Sequence, residues 1–210
     1  KNGWLGVLSD AERAGEERLS LLDLVLLCEE VGAKLFPGPY SLVSAMIIPT
    51  LSAILSDEDK KKWLVPVVYG DQLMTAVLPA IRVQDRDYVV HWGNMRYSED
   101  GETICISGEI PRVLFAQYAD SILLPLPNPQ GGISLTILPV PTRGLTVAPE
   151  SGIDFSRQSA TLIFDQLRIE KKHFIGGWNA DHGRTVIRNI ASYLLCLSGE
   201  MVGGAHVVLN

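Results

Sequence analysis

The chain has 210 residues, of which 47% are apolar and 20% charged, and its formal net charge is −6. This composition is typical of a globular protein with a sizeable core. Because acidic and basic residues are interleaved and acids are in excess, a nucleic-acid-binding surface is not expected. Cys28, Cys105 and Cys196 lie in apolar runs without CxxC spacing, so we expect buried, reduced thiols in a cytoplasmic protein.

The sequence shows no signal peptide and no uninterrupted apolar run long enough to cross a bilayer, so no membrane span is expected. Its four histidines are scattered, and no ligand spacing predicts a metal site. Because the chain starts at Lys1 and ends at Asn210 inside an apparent helix, we expect it to be part of a longer polypeptide.

The first third of the chain is predicted to be helical. A short apolar segment and a charged loop, Ala11 to Leu19, precede Ser20, which is expected to cap a first helix with Asp23 in its first turn. The prolines and glycine from Phe36 to Pro39 end that helix, because they cannot continue it.

Two further helices are predicted before residue 71. The second runs from Leu42 to Leu55 and contains Pro49, which should kink or divide it. The third has Ser56 as its N-cap, acids in its first turn and Gly70 as its stop.

After Gly70 the hydrophobic period changes from helical to alternating, which predicts strands. Ser98 to Gly101 is interpreted as a turn, Ser107 to Glu109 as a break, and Pro111 as a strand end, edge or bulge. Pro125 to Gly132 is interpreted as a surface loop. The predicted strands are Tyr88–Trp92, Met95–Tyr97, Thr103–Ile106, Ala119–Leu124, Ile133–Val140, Gly144–Val147, Thr161–Asp165 and Leu167–Ile169.

From Asn179 the period returns to that of a helix, and apolar residues from Val186 to Met201 fall on one broad side. The small residues Gly199, Gly203, Gly204 and Ala205 allow another helix to approach closely. The order of elements therefore predicts an α+β fold: helices, then strands, then a final helix.

Several segments in this order resemble the acyl-CoA dehydrogenase family across nearly the whole chain. The matches are Lys61, Trp63, Leu64, Pro66 and Gly70 in the third helix, Gly108-Glu109 and Ala119-Asp120 in the β region, Phe164 to Ile169 with Phe174 to Gly176, and Glu200 to Ala205. The resemblance implies an N-terminal helical domain (1–70), a β-barrel-like middle domain (71–175) and the first helix of a C-terminal bundle (176–210).

The resemblance also implies FAD as a cofactor, because the family holds the flavin ring on the segment around Pro79 and on the strand after Gly108. The corresponding candidates here are Met74, Ala76, Val77, Arg112 and Leu114. The family's threonine, serine, tryptophan and second threonine become Val77, Val83, Arg112 and Leu114, so the side-chain donors are absent. Backbone donors do not depend on side chains.

In the family a glutamate removes the α-proton of an acyl-CoA thioester while a hydride passes to FAD, and electrons go to an electron-transfer flavoprotein. The position that holds this base in a few members is about Tyr193 here, with no glutamate beside it. Glu200 belongs to a structural signature, so no catalytic residue is assigned within the chain.

Two functions remain open from the sequence. The chain is either an acyl-CoA dehydrogenase-like oxidoreductase of fatty acid metabolism or a non-catalytic, flavin-poor partner subunit of a heteromeric acyl-CoA dehydrogenase. Both imply a homo- or hetero-oligomer with related subunits. A third interpretation, of another class, is a helical-plus-β scaffold unrelated to CoA chemistry.

Overall fold

The computed structural model describes residues 4–8, 19–84, 87–91 and 94–209. Contacts divide the chain into a helical unit, Lys1–Met74 with Asp154–Arg157 and Arg184–Asn210, and a β unit, Thr75–Ile153 with Gln158–Gly183. The predicted α+β class is confirmed. The three predicted domain ranges remain a prediction; in the structure the helices that precede and follow the strands belong to one unit.

Helix α1 (Leu21–Ala33) begins as predicted at Ser20. The Ser20 hydroxyl accepts from the Asp23 amide, and the Asp23 carboxylate accepts from the Ser20 amide at 2.7 Å, which forms a capping box. The Ser20 hydroxyl also donates to the Asp23 carboxylate at 2.7 Å, and this bond, followed by that of the Ser20 amide, lowers the pKa of Asp23. The helix ends before Leu35, which takes a left-handed φ of 48° ahead of the two prolines.

Helices α2 (Tyr40–Ile54) and α3 (residues 57–69) each contain a five-residue π-helical stretch. In each case a proline, Pro49 or Pro66, follows at the start of the next α-helical segment. Proline lacks an amide donor and crowds the carbonyl four residues earlier, so a widened turn there relieves the helix. The helix therefore continues through Pro49 after a π-helical stretch, and the predicted kink or division at this residue stays a prediction.

The predicted ends of α3 are also confirmed. The Ser56 hydroxyl accepts from the Asp59 amide at 3.2 Å, and Gly70 stops the helix with a left-handed φ of 70°.

The strands form three sheets with the orders β1-β6-β7, β2-β3 and β4-β5-β9-β8. Among the described strands these sheets do not close into a barrel. The strand bounds are β1 Met74–Ala76, β2 Ala80–Gln84, β3 Asp87–His91, β4 Arg96–Asp100, β5 Thr103–Leu114, β6 Ser121–Pro127, β7 Ile133–Pro139, β8 Leu145–Pro149 and β9 Ser159–Glu170.

The core of the β unit lies on the inward faces of β5, β6 and β9. Ile104 and Ile106 of β5 and Leu162 of β9 have no exposed surface, as alternation along an antiparallel strand requires. Six of the seven residues of β6 are buried, so this strand is covered on both faces.

Three predicted interruptions of the strands, a turn, a break and a loop, had the wrong limits, although Gly101 does lie in a turn and residues 128–132 of the predicted loop do connect β6 to β7. Ser98 to Asp100 belong to strand β4, and the chain reverses at Gly101-Glu102, where Gly101 has φ 56°. Strand β5 continues through Ser107 to Glu109 because a β-bulge absorbs the irregularity at Gly108. Pro125 and Pro127 lie in β6, paired with Leu135 and Ile133.

Two other predictions for this region agree with the structure, although the limits of the strands differ. Pro111 lies at the second bulge of β5, between the pairs of Ile110 and Val113, which confirms the bulge alternative. The two strands predicted around Gln166 form the single strand β9, with Gln166 itself at φ 51°. The predicted loop Ala11 to Leu19, apart from Leu19, lies outside the described residues, as does Trp92.

Helix α4 (Gly183–Leu209) begins where Asp181 accepts from the Gly183 amide at 2.8 Å and from the Ile133 amide at 3.0 Å. By length and composition this helix could cross a membrane, although core helices of other proteins meet the same criterion. The predicted absence of a membrane span therefore stays a prediction.

Within the helical unit, α1 and α4 approach at glycines. A Cβ at Gly32 would lie 1.9 Å from the Glu200 carbonyl oxygen, and one at Gly203 would lie 1.8 Å from that of Glu29. Real atoms never come so close, so only glycine fits at either position. The predicted role of Gly203 in close helix contact is explained by this geometry.

Candidate flavin site

The first group of predicted flavin residues is buried. Met74 has no exposed surface, and Ala76 and Val77 each expose 2%. The Val77 amide donates to the Leu123 carbonyl oxygen at 3.0 Å, which continues the pairing of β1 with β6. These side chains therefore fill the fold, and the Val77 amide is already bonded.

Within the β unit, one hydrogen bond brings this segment to the second group of predicted residues. The Thr75 hydroxyl, which has no exposed surface, donates to the Leu114 carbonyl oxygen at 2.5 Å. The residues after Met74 and the end of β5 thus meet, as the family arrangement implies. Whether the five candidates bind a flavin stays a prediction.

Arg112 stands out on β5 because its φ is 58°, an uncommon conformation for a residue with a side chain. Its side chain is exposed, while its amide donates to the Glu150 carboxylate at 3.2 Å. The backbone twist at this bulge therefore directs the amide to Glu150.

Glu150 collects several donors from β9 and β5. Its carboxylate accepts from the Thr161 hydroxyl, from the Ser159 hydroxyl at 2.8 Å and from the Arg112 amide. The Thr161 bond, followed by those of Ser159 and Arg112, lowers the pKa of Glu150 against the opposing effect of partial burial. The carboxylate is therefore a fixed acceptor that stabilises the bulge.

These residues do not fit a flavin ring held in the family's manner. An isoalloxazine needs donors at its carbonyl oxygens and N5, and among the five candidate side chains only Arg112 carries a donor. The amides of Val77 and Arg112 and the hydroxyl of Thr75 are all used inside the β unit. The side chain of Val83 lies outside the described part of the chain.

The residues considered for the catalytic base lie in the helical unit. The Glu200 carboxylate forms an ion pair with the Arg157 guanidinium, and its side chain is only 11% exposed. Tyr193 is buried, which raises the pKa of its hydroxyl, and it also hydrogen-bonds Arg157. Glu200 is thus a structural partner of Arg157, in agreement with its predicted role.

Sequence reasoning missed Thr75, Glu150 and Arg157. Thr75 lies between two of the named candidates. Unlike them it carries a hydroxyl group, and this hydrogen-bonding side chain was the signal in the sequence that could have identified it. Glu150 and Arg157 are ordinary charged residues of loops, and their partners Thr161 and Glu200 are 11 and 43 residues away in sequence. No spacing rule connects such pairs.

A separate apolar cavity of about 510 Å³ lies in the helical unit. Its wall includes Val31 of α1, Val43 of α2 and Val67 of α3, with Trp4 and Phe36 at exposed positions. The Tyr40 hydroxyl donates to the Trp4 carbonyl oxygen at 3.0 Å. The cavity includes none of the five flavin candidates.

Within residues 4–8, 19–84, 87–91 and 94–209, no three histidine, cysteine or acidic residues cluster closely enough to hold a metal ion.

Comparison with known proteins gave matches at the level of structure alone. No protein-family model matches the sequence, and no curated protein does.

Three solved structures illustrate the similarity. Butyryl-CoA dehydrogenase from Megasphaera elsdenii has a TM-score of 0.75 at 18% identity, over 99% of this chain and 56% of that one. The ChsE4-ChsE5 complex from Mycobacterium tuberculosis gives 0.73 at 17% identity, over 95% and 51%. A glutaryl-CoA dehydrogenase from Mycobacterium smegmatis in complex with FADH2 gives 0.65 at 20% identity, over 97% and 51%.

The chain therefore spans about half the length of the structures it resembles. At these identities the similarity establishes the fold, and the activity of the longer proteins does not transfer with it.

Proposed function

Because the chain has the fold of the acyl-CoA dehydrogenases, we propose that it is a non-catalytic, flavin-poor subunit that pairs with a related, flavin-bearing subunit. The observation that carries this proposal is the donor set at the flavin positions. Val77 and Leu114 offer no side-chain donor, and the Val77 and Arg112 amides are bonded inside the β unit. A cytoplasmic location accompanies this proposal.

The fold supports such a role without the side chains of the site. The Thr75–Leu114 bond and the Glu150 cluster hold the segments that face a flavin in the family, so the scaffold survives a change of side chains. One of the similar structures is a complex of ChsE4 with ChsE5. This supports a pairing of related chains.

In this role the partner would carry the acyl-CoA substrate and FAD. The partner would also meet any electron-transfer flavoprotein, and the present chain would supply a packing surface. No proton-transfer step is assigned to this chain, because Glu200 is engaged by Arg157.

An acyl-CoA dehydrogenase that binds its own FAD is the second candidate, favoured by the similarity to a glutaryl-CoA dehydrogenase in complex with FADH2. Bound FAD would supply the hydride acceptor. The Arg112 guanidinium is the one candidate side chain able to donate to the cofactor, and it lies exposed on β5. The other four candidates would offer apolar contact alone.

The flavin content of the purified protein separates the two candidates. We expect the full chain, incubated with excess FAD and desalted, to show no flavin absorbance, while circular dichroism shows it folded. A flavin-bearing acyl-CoA dehydrogenase treated in parallel is the positive control. Stoichiometric FAD retained by the folded chain would overturn the proposal.

A second measurement tests the pairing itself. Co-expression with related flavin-bearing subunits should give a complex that contains one flavin for each pair of chains. Two flavins for each pair would identify this chain as a flavoenzyme subunit, and failure of all such chains to associate would count against the pairing.

A further inference from the structure

Two of the three cysteines meet inside the helical unit. Cys28 of α1 and Cys196 of α4 have no exposed surface, and their thiols lie near enough for each to shift the pKa of the other. The third, Cys105, lies on β5 in the β unit and is partly exposed. The sequence separates the contacting pair by most of the chain, so only the packing of α1 on α4 brings them together.

The glycines of this contact bring together the backbones that carry the two cysteines. Gly199 lies one turn after Cys196, and a Cβ there would be 2.8 Å from the Val25 carbonyl oxygen and 3.6 Å from the Cβ of Cys28. With Gly32 and Gly203 also at the contact, the two helix backbones come closer than bulkier residues would allow. Cysteine side chains that extend from such backbones are held within bonding reach.

The pair is also chemically unequal. The bond to Cys196 and burial raise the pKa of Cys28, whereas the hydrogen bond donated by Cys28 lowers the pKa of Cys196. The Glu200 carboxylate, one turn after Cys196, acts on both thiols in the raising direction, and Arg157 pairs with that carboxylate. A thiolate at Cys196 is therefore stabilised by the neighbouring Cys28 thiol.

We propose that Cys28 and Cys196 form a reversible disulfide that fastens α1 to α4 when the protein meets a peroxide. The Cys196 sulfur attacks one peroxide oxygen, the O–O bond breaks, and a sulfenic acid and one water result. The Cys28 sulfur then attacks the Cys196 sulfur, the S–O bond breaks, and the Cys28 proton leaves with the hydroxyl as a second water. The two thiols lose two electrons and the peroxide gains them.

Burial decides when this reaction occurs. A peroxide reaches the sulfurs only when α1 and α4 separate locally around the two cysteines, so the thiols stay reduced under ordinary conditions. A small-molecule dithiol reverses the reaction by thiol–disulfide exchange. The proposal uses residues of the helical unit alone and is independent of flavin binding.

The test is to treat the folded full chain with hydrogen peroxide, unfold it in an alkylating agent, and map peptides without reduction. We expect the peptide of Cys28 joined to that of Cys196 and a fall from three alkylated thiols to one, restored by dithiothreitol. The C105S variant should form the same link and serves as the matched control. C28A and C196A should each lose it.

Three results would overturn the proposal: full alkylation of all three cysteines at peroxide levels that oxidise methionine, a cross-link to Cys105 in place of the expected pair, or sulfonic acids without any cross-link. E200Q keeps the side-chain shape and removes the negative charge beside the thiols, so the link should form faster in that variant. An unchanged or slower rate in a folded E200Q protein would contradict the assigned chemistry.

Discussion

The helical unit and the β unit hold their critical segments in different ways. Where α1 meets α4, the two helices pack closely because Gly32 and Gly203 have no side chain and so leave room for a carbonyl oxygen of the other helix. Around Thr75 and Glu150, the segments are held in place by hydrogen bonds to main-chain and hydroxyl groups. The first contact tolerates almost no substitution, whereas the second tolerates side-chain change at neighbouring positions such as Val77 and Leu114.

This difference explains how a protein can keep its fold after the side chains of a binding site have changed. Main-chain hydrogen bonds form whatever side chains the residues carry, so a sheet edge can keep its geometry while its functional groups change. The flavin candidates lie at such an edge, and four of the five are apolar.

The largest expected effect is that of Gly203→Ala. The added methyl group would overlap the Glu29 carbonyl oxygen, so α1 and α4 must separate, and we expect a loss of about 3 kcal/mol in the free energy of unfolding. The neighbour Gly204 is the matched control, because a Cβ there has its nearest contact at 3.7 Å. Gly204→Ala should be neutral or stabilising by up to about 1 kcal/mol. Equal urea-unfolding curves for the two variants would show that the helices are less tightly packed than described.

Thr75→Val tests the corresponding contact of the β unit. The substitution keeps the shape but removes the buried donor to the Leu114 carbonyl oxygen, and we expect a loss of about 1–2 kcal/mol. Thr146→Val, at an exposed position on β8, controls for the change of residue type. If both variants unfold at the wild-type urea concentration, the Thr75 bond does not join the two segments.

Ser20→Ala removes the cap of α1 and should cost about 1 kcal/mol, since the Asp23 amide loses its acceptor. Ser198→Ala, in the exposed middle of α4, removes a hydroxyl of the same kind that bonds only the Leu194 carbonyl oxygen and should be nearly neutral. Thermal melting of both proteins distinguishes a cap from a general effect of serine loss.

The smallest expected effect is the pH dependence due to Glu150. Because its pKa in the folded protein is below the ordinary value of 4.5, its ionised form stabilises the fold above that value, and this contribution is lost as the pH falls through the folded pKa. The stability difference between wild type and Glu150→Gln should therefore be larger at neutral pH than well below 4.5. A difference that stays constant with pH would exclude the proposed role of the carboxylate.

Much of the fold was predictable because local chemistry determines it. Ser20, Ser56 and Gly70 mark helix ends through their own hydrogen bonds and backbone conformations, and a π-helical stretch precedes Pro49 in α2 for a local steric reason. The break predicted at Ser107 to Glu109 was wrong for a non-local reason. Gly108 looks like a break in sequence, yet β9 pairs with β5 on both sides of it and a bulge accommodates it.

The candidate site was predictable only in part. The sequence identified the segments around Val77 and Leu114 by resemblance, and it showed that their side chains lack donors. It gave no sign that Thr75 joins the two segments, or that the Val77 and Arg112 amides are already bonded.

The sequence by itself determined the order of helices and strands, the caps and the chemical character of the flavin positions, since these depend on residue types and their spacing. Only the tertiary structure decided which distant groups meet: Cys28 with Cys196, Arg157 with Glu200, and Arg112 with Glu150. Such pairs arise when packed helices and paired strands bring together residues far apart in sequence, and no local pattern records that approach.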